Sequence, residues 1–233
     1  KVYVVEDHLA PPPTVAAANR MVQLRLAVQQ YGITNFFEYG RHGILHQVFA
    51  EHGMYAPGDL VAQCDSHSTA GGVFNACVTN ANLDAVHVLA FGELWFRVPE
   101  SVRVVLNGTL PAWCVGKDVI LKVAQILTVK GGTGAIVEYF GSGARSLSAT
   151  GKGTICNMGA EIGATTSLFA YDDAVGRYLK ATGREAVADA ADAVAHHLRA
   201  DDEVEANPGA YFDQVIEIDL STLSPHINGP HTP

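Results

Sequence analysis

The chain has 233 residues, of which 48% are hydrophobic and 17% charged, enough apolar material for one large core or two smaller ones. Its formal net charge of -9 argues against a broad nucleic-acid or anionic-membrane surface, because long-range attraction to phosphate needs an excess of Lys and Arg. No apolar run approaches the roughly 20 residues that span a bilayer, and Glu6, Asp7 and His8 interrupt the first apolar stretch too early for a signal peptide. The opening in strand-like sequence without an initiator Met leads us to expect that both ends are cuts in a longer protein.

Val2 to Glu6 reads as a short buried strand. Three prolines follow, then Thr14 as the N-cap of a helix running to Gly32, with Val15, Ala18, Val22 and Leu26 on its apolar stripe beside Arg25. Phe36 to Tyr39 predicts a strand, Ile44 to His52 a helix, Asp59 to Cys64 a strand, and Leu83 to Phe91 a helix behind an Asn82 cap. Strands alternating with helices in this way predict an α/β fold with a parallel or mixed sheet covered by helices.

The texture changes at Val98-Pro99, where a domain boundary is expected. Val102 to Leu106 is a clean strand before the turn dipeptide Asn107-Gly108. A helix from Lys117 to Val129, a strand from Ala135 to Phe140, a helix over Ile155 to Ile162 and a strand from Thr166 to Phe169 follow. Asp173 to Lys180 predicts a short helix, and Arg184 to Arg199 an Ala-rich one whose acidic run reads as a solvated face. The last strand is Asp213 to Leu220, and Pro225 to Pro233 reads as a linker.

Cys64, Cys77, Cys114 and Cys156 are widely spaced with no Cys-x-x-Cys pair, and read as buried reduced thiols in a reducing compartment. Lys130-Gly-Gly-Thr-Gly134 has its glycines between helix and strand, the wrong order for a phosphate loop, and reads as a tight connection.

Chemistry is suggested where His stands near acid: Asp7-His8 after the first strand, His42 with His46, Asp65-Ser66-His67 after a strand, and Glu161 on a helix. A carboxylate beside an imidazole can fix its tautomer and keep it protonated near neutral pH, as delivery of a proton to a leaving hydroxyl requires. Asp65-Ser66-His67 is the sharpest of these, since it precedes the small, flexible run Ser68 to Gly72, whose backbone could approach a compact ligand. Its competing reading is a capped turn into a helix. A Ser-His-Asp hydrolase finds no Gly-x-Ser-x-Gly elbow around Ser66. His42, His52, His87, His196 and His197 read as ordinary satisfied polar residues.

Two long stretches, Lys117 to Tyr139 (KDVILKVAQILTVKGGTGAIVEY) and Thr154 to Ser167 (TICNMGAEIGATTS), closely resemble the aconitase family. So do Asp7-His8, Gly43 to His46, Asp65 to His67 and Pro225 to Pro230, in the family's order. The resemblance implies aconitase-type three-layer α/β/α domains: residues 1–98 as the second half of a first domain, 99–220 as a second, and 221–233 as a linker toward a third. It implies part of an iron-sulfur hydro-lyase that isomerises citrate and isocitrate through cis-aconitate.

By the same resemblance, His8 with Asp7 helps protonate the departing hydroxyl, and His46 with Asp65 and His67 with Glu161 are acid-imidazole pairs lining the pocket. Asp65, Ser66 and His67 contact substrate, and Asn157 lies near a [4Fe-4S] cluster whose cysteines fall outside this chain; no metal ligand is expected here. The implied partners are a small tricarboxylate or related hydroxyacid and the remaining aconitase domains, with no nucleic acid and no membrane. The expected location is the cytoplasm, or the mitochondrial matrix in a eukaryote. Ser68 to Gly72 and Leu94 to Pro99 look more like the isopropylmalate dehydratase branch, which keeps homocitrate, 2-methylcitrate and 3-isopropylmalate relatives as alternatives. A non-catalytic binding fragment is the alternative of another class.

Overall fold

The computed structural model describes residues 1–231, so Thr232 and Pro233 of the expected linker lie outside the described residues. The chain divides into two compact units, Lys1–Met54 and Tyr55–Pro233. This partition differs from the domain division placed at Val98-Pro99, which stays a proposal about the whole protein.

In the first unit, β1 (Tyr3–Val5) is joined through α1 (Val15–Gln30) to β2 (Asn35–Phe37), and the two strands pair in parallel with Val4 opposite Phe36. Thr14 caps α1 as expected, its hydroxyl accepting the Ala17 N–H at 3.2 Å. The predicted apolar stripe is wrong in phase. Ala17 and Val28 are the buried positions of α1, whereas Val15, Val22 and Leu26 are exposed within this chain, because the short two-stranded sheet presents little surface to cover. α2 (Leu45–Glu51) completes the unit, with Val48 and Phe49 buried.

The second unit opens with β3 (Leu60–Gln63) and β4 (Cys77–Asn80), again parallel. Their crossover is a 3-10 helix, Ser68–Phe74, of which six residues are buried. The expected flexible loop is therefore a packed element. A Cβ added to Gly72 would stand 1.5 Å from the Ser167 carbonyl oxygen, so the glycines serve close backbone packing rather than mobility. β4 escaped the sequence reading because a strand of four residues carries too little periodicity.

After α3 (Ala85–Phe91) comes a four-stranded sheet built from β5 (Glu100–Asn107), β6 (Ala135–Phe140), β7 (Thr166–Phe169) and β8 (Gln214–Asp219) in the order β7-β6-β5-β8, every pairing parallel. Asn82 does not cap α3; it has a φ of +45°, and a 3-10 turn at Asn82–Asp84 leads into the helix. The connection β5 to β6 is α4 (Gly116–Leu127), whose Val119, Ile120 and Val123 are fully buried, each contributing about 1.5–3 kcal/mol by leaving water. Asp118 accepts both the Val115 N–H and the His226 N–H at 2.7 Å, which ties part of the expected linker to the first turn of this helix.

Between β6 and β7 lie α5 (Gly141–Ser146), α6 (Ala149–Asn157) and a 3-10 turn, Met158–Ile162. The single helix predicted from Ile155 to Ile162 is thus the end of a helix that starts earlier. Ser148 caps it by accepting the Gly151 N–H, and the glycines at 151 and 153 masked the helical pattern. The return to β8 runs through α7 (Asp173–Ala181), α8 (Glu185–Ala193) and the short α9 (Asp202–Ala206). The helix expected to reach Arg199 stops at Ala193. Ala188 and Ala191 are buried while Glu185, Asp189 and Asp192 stay exposed, as the charge pattern required. Lys130 to Gly134 joins α4 to β6, the predicted tight connection. No helix among the described residues is long and apolar enough to cross a membrane.

Candidate functional site

Asp65, Ser66 and His67 leave the C-terminal end of β3 and enter the buried 3-10 helix. Asp65 is buried and shapes the turn: its Oδ1 accepts the His67 N–H at 2.7 Å, and its carbonyl accepts the Ser68 hydroxyl at 2.6 Å. The strand behind it is anchored by Tyr55, whose hydroxyl exchanges hydrogen bonds with the Gln63 amide at 3.1 and 3.2 Å; burial drives that phenol well above its ordinary pKa. The capped-turn geometry is thus present, and it leaves the imidazole of His67 directed elsewhere.

That imidazole is held on both nitrogens. Its Nε2 lies 3.2 Å from Glu161 Oε1, and its Nδ1 lies 3.0 Å from the Ser66 hydroxyl. Glu161 sits in the 3-10 turn ahead of β7, at the N-terminal end of that strand rather than at a carboxyl end. Its second oxygen, Oε2, is buried without a hydrogen-bond partner among the described residues. In a Ser-His-acid hydrolase the serine takes Nε2 and the acid Nδ1, and here the two are exchanged.

Asn157 ends α6, and its carbonyl accepts the Thr69 hydroxyl at 3.3 Å, so the two segments that carry His67 and Glu161 are joined a second time. Sequence reading missed Thr69, Gly159 and Ser167, which pack here; a Cβ on Gly159 would stand 2.3 Å from Ser167 Oγ, itself buried and without a hydrogen-bond partner among the described residues. Nothing local in sequence marks such a contact.

The other expected residues belong to the first unit. Asp7 follows β1, and its Oδ2 accepts the Leu45 N–H at 2.7 Å, capping α2 in place of Ile44, which offers no side-chain acceptor. Glu6 likewise accepts the Tyr39 N–H at 2.8 Å. His8 is exposed in the turn after β1, and His46 is half-buried on α2. The histidines read as ordinary side chains make local contacts: His42 accepts the Gly40 N–H at 3.1 Å and stacks on Tyr39, His52 leans on Phe37, and His87 leans on Phe91.

Among the described residues no three His, Cys, Asp or Glu side chains come together as a metal site. All four cysteines are free: Cys114 and Cys156 are buried and Cys77 is half-buried, but Cys64 is exposed, contrary to expectation. Burial pushes the Cys156 thiol far above its ordinary pKa, away from the thiolate that binds metals. Among the described residues, the buried Cys156 thiol thus does not fit as a ligand of an iron-sulfur cluster.

Comparison with known proteins bears on this arrangement. The family model described as Aconitase family (aconitate hydratase) matches residues 6–233. The chain is 52% identical to the mitochondrial aconitate hydratase of Gracilaria gracilis, over 90% of this chain and 26% of that protein. It is 50% identical to the probable mitochondrial aconitate hydratase of Caenorhabditis elegans, over 90% and 26%. To the mitochondrial aconitate hydratase of Emericella nidulans it is 47% identical, over 99% and 29%. The chain spans about a quarter of the length of these relatives.

Proposed function

Because this chain belongs to the aconitase family, we propose that it supplies the imidazole-carboxylate part of the active site of a hydro-lyase interconverting citrate and isocitrate through cis-aconitate. One observation carries the proposal at residue level: His67 is clamped between Ser66 and Glu161, with the second oxygen of Glu161 left over.

Elimination of hydroxide from a tertiary or secondary alcohol leaves charge on the departing oxygen, and that charge must be neutralised as the bond breaks. An imidazole paired with a carboxylate suits this, and Glu161 and Ser66 together fix the orientation of the His67 ring. In our reading Asp65, Ser66 and His67 contact the hydroxyacid, and Glu161 orients His67. Asp7 with His8 serves as a further acid-imidazole pair, and Asn157 lies close to the cofactor. We expect the complete protein to depend on a [4Fe-4S] cluster held by cysteines outside this chain. For a eukaryotic source we propose the mitochondrial matrix.

The test is turnover by the intact natural protein after anaerobic reconstitution with iron and sulfide, following cis-aconitate absorbance. Citrate and isocitrate are expected to be the preferred substrates. Activity confined to homocitrate, 2-methylcitrate or 3-isopropylmalate would reassign the substrate within the family. No turnover of any of them would overturn the enzymatic reading and favour a non-catalytic binding role.

A further inference from the structure

A second concavity lies at the carboxyl ends of β6 and β7, the end of β7 opposite Glu161. It consists of a cavity of about 360 Å³ bounded by Phe140, Gly141, Lys152 and Phe169, and a wider one of about 540 Å³ that adds Arg177; the two share Arg145, Tyr171, Asp172 and Arg199. Outside the carboxyl ends of parallel strands is where such sheets commonly receive ligands.

The wall of this space is unusual for its buried charge. Lys152 is only 1% exposed, and its Nζ donates to Asp172 Oδ2. Asp172 Oδ1 is already committed to the Ala174 and Val175 N–H groups at the start of α7. Burial there disfavours the ammonium, and Asp172 offsets that cost only in part. Tyr139, which also borders the cavity and stacks on Phe169, has a buried hydroxyl with no partner among the described residues.

The mouth carries three arginines, Arg145, Arg177 and Arg199, beside three aspartates, Asp172, Asp173 and Asp192. Arg199 is engaged by Asp202 at 3.2 Å, and Asp192 is occupied by Tyr171 and Lys180. Glu205 is taken by Arg103. Arg145 and Arg177 have no ion pair among the described residues, and both border the wider cavity. Two exposed arginines are by themselves ordinary solvated side chains. Facing one concavity, above a buried lysine, they form a forked set of donors suited to a planar or tetrahedral oxyanion.

We propose that this concavity binds a small dianion, through carboxylate or phosphate oxygens, between Arg145 and Arg177 over the Lys152–Asp172 pair, separately from the His67–Glu161 site. The proposal rests on the geometry of the second unit and not on the hydro-lyase reading.

The intact protein is titrated calorimetrically at low ionic strength with inorganic phosphate and, separately, with malonate, which distinguishes a phosphate source from a dicarboxylate one. At least one should bind, with affinity lowered tenfold or more in the Arg145→Ala/Arg177→Ala double variant and changed less than twofold in His67→Ala. Both arginines are exposed, so the double variant should keep the parent's thermal midpoint. The proposal is overturned if neither anion binds at millimolar concentration, or if the double variant binds as tightly as the parent. It is equally overturned if His67→Ala removes the binding. Turnover of cis-aconitate, read in parallel, reports separately on the enzymatic reading.

Discussion

His67 Nε2 and Glu161 Oε1 stand 3.2 Å apart although 94 positions separate them in the chain. One sits in the turn that leaves β3, the other in the turn that enters β7. The packing that joins them runs through the buried 3-10 helix at Ser68–Phe74 and the hydrogen bond from Thr69 to the Asn157 carbonyl.

If His67 is the proton carrier and Glu161 its orienter, His67→Ala should lower turnover of the intact enzyme by about 10²–10⁴-fold. Glu161→Gln should lower it less, and the double variant no further than His67→Ala alone, because residues acting as one unit are not additive. Additive losses, measured as kcat/KM for cis-aconitate, would separate the two roles.

Gly72 and Gly153 should respond oppositely to alanine. At Gly72 the new methyl would overlap the Ser167 carbonyl at 1.5 Å, so Gly72→Ala should destabilise by at least about 4 kcal/mol or prevent folding. At Gly153, within α6, the nearest atom is Val73 Cγ1 at 4.0 Å, ordinary contact. Gly153→Ala should stabilise by roughly 0.4–1 kcal/mol through the unfolded chain. Urea midpoints of the two variants decide it.

Asp172→Asn keeps an oxygen for the cap of α7 but removes the charge opposite Lys152, and should cost about 3–5 kcal/mol near neutral pH. Burial lowers the Lys152 pKa from 10.5, and Asp172 opposes that fall. Without Asp172 the folded ammonium loses its proton more readily while the unfolded one keeps it, so the unfolded chain binds more protons and stability rises with pH. The penalty should therefore shrink as pH rises toward 10.5. A penalty independent of pH would show that the loss is one of packing.

Thiol labelling should follow exposure. Cys64 is exposed, its thiol 3.4 Å from the Asn82 carbonyl, whereas Cys156 is fully buried and its pKa is driven up by that burial. Peptide mapping after alkylation of the folded protein should find Cys64 modified first and Cys156 last. Early modification of Cys156 would contradict the burial found here.

Read from residues alone, the strands at Ala135–Phe140 and Thr166–Phe169, the Thr14 cap and the solvated acidic face of α8 were legible, since each depends on near neighbours in the chain. The family was legible as well, because long ordered motifs survive without any knowledge of their packing. Tertiary structure alone decided that Ser68 to Gly72 is a packed crossover rather than a flexible loop, and that Val15, Val22 and Leu26 are exposed within this chain. It alone buried Lys152 against Asp172, whereas the pairing of His67 with Glu161 was implied by the family resemblance and the tertiary structure adds its geometry, 3.2 Å between Nε2 and Oε1. Local propensity carries no information about which backbone passes within a methyl's width of a glycine, or which distant carboxylate meets a given ring. Those outcomes are fixed by the close packing of parallel strands and their crossovers.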